Sequence, residues 1–108
     1  MVVSYSEAFK RQIKRLSRRY RRIRDDLQPI IDQLAAGQTP GDRIQGVGDM
    51  LYKVRVRNTS AGRGKSGGYR IIYYLRSTTD VLLVTIYSKA DQSDIDVEAL
   101  SRLLQEEG

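Results

Sequence analysis

The stretch Ala61–Leu75, AGRGKSGGYRIIYYL, decides the fold. Its Gly64-Lys65-Ser66 resembles the end of a nucleotide-binding phosphate loop. That motif needs a glycine, four intervening residues, then Gly-Lys-Ser or Gly-Lys-Thr. Counting back, the first glycine falls on Thr59. A phosphate loop also leads into a helix whose N-terminus faces the phosphates. This one leads into YRIIYYL, a β-branched and aromatic run that reads as a strand. Spacing and context both fail, so the glycines read as a flexible tip between two strands, carrying Arg63 and Lys65.

Working outward, 50–57 (MLYKVRVR), 68–77 (GYRIIYYLRS) and 80–89 (DVLLVTIYSK) are the core strands, with a short turn at Ser77–Asp80. Short joins favour antiparallel pairing. Residues 2–5 are a possible opening strand. Ser6 is a plausible N-cap, and Glu7 suits the positive end of a helix dipole. Apolar residues at Phe9, Ile13, Leu16, Tyr20, Ile23, Leu27, Ile30 and Leu34 recur in steps of three and four, as one helical stripe. The like charges of SRRYRRIR and the imino ring of Pro29 oppose a single helix. The spacing predicts a hairpin of helices over 6–18 and 21–36, stopped at Gly37. Residues 37–49 form a polar, glycine-rich connection. Ile95, Ala99, Leu100 and Leu103 predict a final helix capped by Ser93 or Asp94. The expected fold is a single α+β domain over 1–108. An N-terminal helical hairpin packs on a small, mainly antiparallel sheet, with the helices on one face and a short C-terminal helix.

The 108 residues carry a net charge of +6, with neither cysteine nor histidine. Disulfides, thiolate metal sites and histidine catalysis are excluded. No metal or other cofactor is called for. No run spans a membrane and no signal peptide is visible, so the expected compartment is the cytoplasm and no membrane partner is expected. The Asn58-Thr59-Ser60 sequon is then fortuitous. Nine Lys or Arg and no acid lie in 10–24, either as a surface facing RNA or a partner or as a solvated helix face.

Side chains alternate along a strand. Tyr52, Val54 and Val56 share a face, as do Tyr69, Ile71, Tyr73 and Leu75, and the expected third set is Leu82, Val84 and Ile86. The opposite face then collects Lys53, Arg55, Arg57, Arg70 and Lys89, with Tyr74 and Tyr87 among them. No carboxylate joins them on that face, since the one acid of the three segments, Asp80, shares the parity of Leu82. Such a cluster repels itself, and a solvent face normally mixes signs, so this face reads as an anion site.

The helix pair, YKVRVR, the glycine-rich tip, KSGGYRIIYY and IYSKAD together resemble the RelE/ParE toxin superfamily over nearly the whole chain, most closely its HigB-type branch. The resemblance implies a toxin of a type II toxin–antitoxin module. It would be a ribosome-dependent endoribonuclease that cuts mRNA in the A site without metal, and it would form a hetero-oligomer with an antitoxin, commonly a helix-turn-helix protein. Carried over, Lys53 and Arg55 match the Lys-x-Lys of the first core strand, Arg70 the arginine of the GYR strand, and Lys89 a position where many members have arginine. These four are the expected catalytic residues. Arg57, Arg63, Lys65, Tyr74, Arg76 and Tyr87 are the expected RNA contacts. Family members often add a tyrosine in the C-terminal segment, whereas this chain has no aromatic residue after Tyr87. Tyr74 or Tyr87 would substitute, or charge alone would serve. Asp91 is a weaker candidate base. The alternatives are a ParE-like gyrase inhibitor, which shares the fold without the cationic cleft, and a non-catalytic basic nucleic-acid-binding domain.

Overall fold

Ser6 starts the first helix in two ways. Its Oγ accepts the Phe9 amide at 2.9 Å and donates to the carbonyl of Val84. The cap therefore fixes the helix to the sheet as well as ending its orphan amides. The computed structural model describes residues 1–45, 50–60, 68–91 and 95–107. In chain order the elements are β1 (Val2–Tyr5), α1 (Glu7–Arg19), α2 (Ile23–Ala35), β2 (Asp42–Arg43), β3 (Leu51–Val56), β4 (Tyr69–Leu75), β5 (Asp80–Ser88) and α3 (Val97–Glu107). The fold is α+β, as expected.

The helical hairpin breaks at Tyr20, which is extended (φ −120°, ψ 90°) while its amide still bonds Leu16. Its ring is buried edge-on against Tyr69, with centroids 5.6 Å apart. Packing at Tyr20 and charge crowding by its arginine neighbours thus end α1, whereas Pro29 lies inside α2 and ends nothing. Gly37 stops α2 as expected. At φ +89° its amide bonds Leu34 and the next amide bonds Gln33, which satisfies the last carbonyls.

The sheet order is β1-β5-β4-β3-β2. β1 pairs parallel with β5 and the other pairs are antiparallel. The two-residue β2, which pairs Asp42 with Lys53 and Arg43 with Tyr52, was not expected from the polar connection. Against the helical hairpin lie Val54, Val56, Tyr69, Ile71, Tyr73, Val81, Leu83 and Ile86. A second apolar cluster joins Leu51, Ile72, Leu82 and Val84 to Leu100 of α3, with Ile95, Leu103 and Leu104 beside it.

Two expectations are corrected here. The register slips between Ile72–Thr85 and Tyr73–Leu83, leaving Val84 as an extra residue. Such a bulge reverses the alternation. Ile86 therefore faces the hairpin while Leu82 and Val84 face away, so the three do not share a side. The helices do not all lie on one face either: α3 covers the sheet opposite the hairpin. Its cap is Asp96, whose Oδ1 accepts the Ala99 amide at 2.7 Å. Ser93 and Asp94, the expected caps, fall outside the described residues.

Candidate anion site on the cationic sheet face

α3 packs over one end of its face, and alternation shows how the rows continue beyond it. Leu51, Tyr74 and Leu82 form a cross-strand row that belongs to the apolar cluster under α3. Two residues along comes Lys53–Ile72–Thr85, and two further Arg55–Arg70–Tyr87. One step past the last ladder pair, Arg57 and Lys89 flank Gly68, whose carbonyl accepts the Lys89 amide at 2.9 Å. Rows are separated by about 6.6 Å and strands by about 4.8 Å. The result is a small grid with cations at Lys53, Arg55, Arg57, Arg70 and Lys89.

The grid positions differ in exposure. Arg70 is buried at 8% and its Nη1 donates to the Tyr69 carbonyl at 3.3 Å. Arg55 and Arg57 are exposed, while Lys53 and Lys89 are half-buried. A guanidinium held in the sheet beside exposed ones suits an anion that arrives from solvent, because arginine stays charged and offers two oxygens a planar fork. Tyr87 is also buried, at 6%.

The other expected site residues lie elsewhere. Tyr74 packs in the cluster under α3. Arg76 follows the far end of β4, about 20 Å from Arg70 along the strand, and its Nε pairs with Asp80 at 3.3 Å. Arg63 and Lys65 lie outside the described residues. Asp91 places its Oδ1 2.9 Å from Nη1 of Arg19. That hydrogen bond, then the charges of Tyr20 and Asp91, holds the exposed Arg19 guanidinium above its ordinary pKa.

One set of residues had no sequence reading. Asp26, in the first turn of α2, accepts the Thr59 amide at 2.9 Å on Oδ2 and the Thr59 hydroxyl at 2.6 Å on Oδ1. Arg22 Nε donates to the same hydroxyl at 3.1 Å, and the Arg22 amide donates to Ser60 Oγ at 2.9 Å. The only signal in the chain is that Asp25 and Asp26 end the nine-cation run. The turn between the helices is thereby tied to the chain leaving β3. A groove of about 320 Å³ between α1 and α2 has a floor of Phe9, Ile13, Leu27 and Ile31 with Lys10 and Arg24 on its rim. It shares no residue with the grid.

A helical hairpin on one face of the sheet, with α3 and five cations on the other, defines an α+β domain with a cationic sheet face. The model of the RelE toxin of the RelE/RelB toxin–antitoxin system matches residues 7–106, and the chain belongs to that family. It is thus a toxin of a toxin–antitoxin system, and an antitoxin is its implied partner. Among the described residues, no helix is long and apolar enough to cross a membrane.

Proposed function

We propose that this protein is a ribosome-dependent endoribonuclease of the HigB-type branch that cuts mRNA in the A site. The observation that carries the reading is the Arg55–Arg70 row, with Lys53 on one side and Arg57 and Lys89 on the other. Five cations on one face give two of the things RNA self-cleavage needs, a cradle for the phosphate and charge for its pentacovalent state.

In the proposed step, the ribose 2′-oxygen loses its proton, bonds to the adjacent phosphorus, and the bond from phosphorus to the 5′-oxygen breaks. The products are a 2′,3′-cyclic phosphate and a 5′-hydroxyl. Lys53 takes the first proton, since a lysine can give up its own proton and an arginine cannot. Arg55 and Arg70 hold the phosphorane oxygens. Lys89 protonates the departing 5′-oxygen. Asp91 is not needed as a base, and its pairing with Arg19 gives it a structural use.

Tyr74 and Tyr87 are packed into protein, which favours a mechanism carried by charge over one built on base stacking. The exposed cations of α1 and the turn, from Lys10 to Arg24, offer a second surface for ribosomal RNA. The partner would be a helix-turn-helix antitoxin in a hetero-oligomer, and the compartment the cytoplasm.

Primer extension on a defined mRNA in a purified translation system, with and without ribosomes, tests the reading. Cuts within A-site codons that need ribosomes and vanish in Arg70→Ala are expected. Intact mRNA with the wild-type protein would overturn it and turn attention to gyrase. Cutting that survives Arg70→Ala would keep the activity and remove the site.

A further inference from the structure

We infer that Asp26 is a positioning residue that works through Arg57, setting where an RNA backbone lies on the sheet; this rests on the RNA-binding reading of the grid. Arg57 is one residue beyond the last pair of the β3–β4 ladder, Val56–Tyr69. Ladder hydrogen bonds no longer fix a chain at such a point. Here the next residues are fixed from the other side. Thr59 gives Asp26 both its amide and its hydroxyl, and Arg22 holds the Thr59 and Ser60 hydroxyls. The Ser60 amide folds back onto Asn58 Oδ1 at 2.9 Å, and Asn58 is buried. The chain leaving β3 is therefore tied to α2 within two residues of Arg57.

Both oxygens of one carboxylate are engaged by one residue, and hydrogen bonds to a charged acceptor are about twice as strong as neutral ones. Extending β3 straight through Arg57 keeps Lys53, Arg55 and Arg57 in line at steps of about 6.6 Å. That step is close to the separation of neighbouring phosphates in an extended strand. Arg55 and Arg57, so spaced, take successive phosphates in one register while Lys53 faces the reacting ribose, and releasing Arg57 lets the strand slip by a nucleotide. The Asp26 carboxylate reaches Thr59 on the side of the sheet where the helices lie, so it acts without touching RNA.

The test is a double-mutant cycle on the full chain with Asp26→Ala, Thr59→Val and Arg57→Gln. The probe is a fully 2′-O-methylated RNA oligonucleotide, which keeps the phosphates and cannot be cut. Its Kd is measured over a series of salt concentrations, and thermal melting checks that each variant is folded. In the wild-type background Arg57→Gln should weaken binding and lower the salt slope by about one. In the Asp26→Ala or Thr59→Val background the same change should cost less than half as much. Equal losses in all backgrounds, or no binding of the oligonucleotide even at low salt, would overturn the inference.

In the translation system, Asp26→Ala should also spread the cut over neighbouring positions, while a purely structural defect would lower the yield at the same position. If binding shows the coupling and no mRNA is cut, the nuclease reading falls and the clamp stands. If mRNA is cut and the losses are additive, the clamp falls and the nuclease stands.

Discussion

Arg55 and Arg70 stand directly opposite each other on β3 and β4, two guanidinium-bearing residues in one cross-strand pair. Opposed like charges destabilise a sheet, by roughly 0.2–1 kcal/mol for such a pair. The fold accepts this within its five-cation sheet face, a cost that the proposed RNA site would account for.

Arg55→Thr follows from that pairing. Threonine suits an exposed strand position and removes the repulsion. Stability should rise by about 0.5 kcal/mol, measured by urea unfolding. Ribosome-dependent cleavage should fall by about a hundredfold, the scale of losing one preorganised charge donor. A variant that is both less stable and fully active would contradict the assignment.

The sheet's other face gives a contrast between two tyrosines. Tyr69 and Tyr73 are fully buried. The Tyr73 hydroxyl donates to the Pro40 carbonyl, while the Tyr69 hydroxyl meets no hydrogen-bond partner among the described residues. Removing an unsatisfied buried hydroxyl is favourable and removing a bonded one is not. Tyr69→Phe should gain about 1 kcal/mol at neutral pH and Tyr73→Phe should lose about the same.

Alkaline pH probes the same pair. Burial first, then Asp26 and Tyr20, raises the Tyr69 pKa; burial first, then Tyr52, raises that of Tyr73. The unfolded chain releases these protons from about pH 10, whereas the fold retains them. Their contribution is therefore fully present below pH about 10 and is lost as the pH rises through the higher folded-state values. Circular dichroism should show stability flat in these groups up to about pH 10 and falling above it, with Tyr69→Phe unfolding at higher pH than the wild type.

Gly68, the last residue before β4, has to be glycine. Its φ is +81°, and an added Cβ would collide with the Val56 carbonyl oxygen. Gly37 has a similar φ of +89° with nothing within 4 Å. Gly68→Ala should therefore cost about 2 kcal/mol or more, and Gly37→Ala only about 1 kcal/mol, the conformational part. Because Gly68 lies between Arg57 and Lys89 and two residues before Arg70, its substitution should also depress cleavage, and Gly37→Ala should not.

Much of this was legible in the chain. Ser6, Gly37 and the strand limits are local chemistry, and period-two alternation in YKVRVR put Lys53 and Arg55 on one side without any fold in hand. β5 was less tractable. VLLVTI is apolar on both parities, so nothing in it marks the bulge at Val84. That same absence of alternation is what a strand covered on both faces looks like, and it was the available sign that α3 lies opposite the hairpin. The Asp26–Thr59 tie joins residues 33 apart and has no periodicity to betray it.

The basic ridge of α1 gives the last prediction. Arg11, Arg15 and Arg18 are exposed and recur at steps of four and three, so they line one side of the helix away from its buried Phe9 and Leu16. If this surface docks on ribosomal RNA, each phosphate it neutralises adds about 0.9 to the slope of log affinity against log salt. Changing all three to glutamine should therefore lower that slope for ribosome binding by roughly two to three. Glutamine keeps the helix propensity and relieves like-charge crowding, so melting should not fall. The sheet-face cations are untouched, so cutting at saturating ribosome concentration should persist. An unchanged salt slope would make the ridge a solvated helix face, and loss of cutting at saturation would place part of the chemistry on α1.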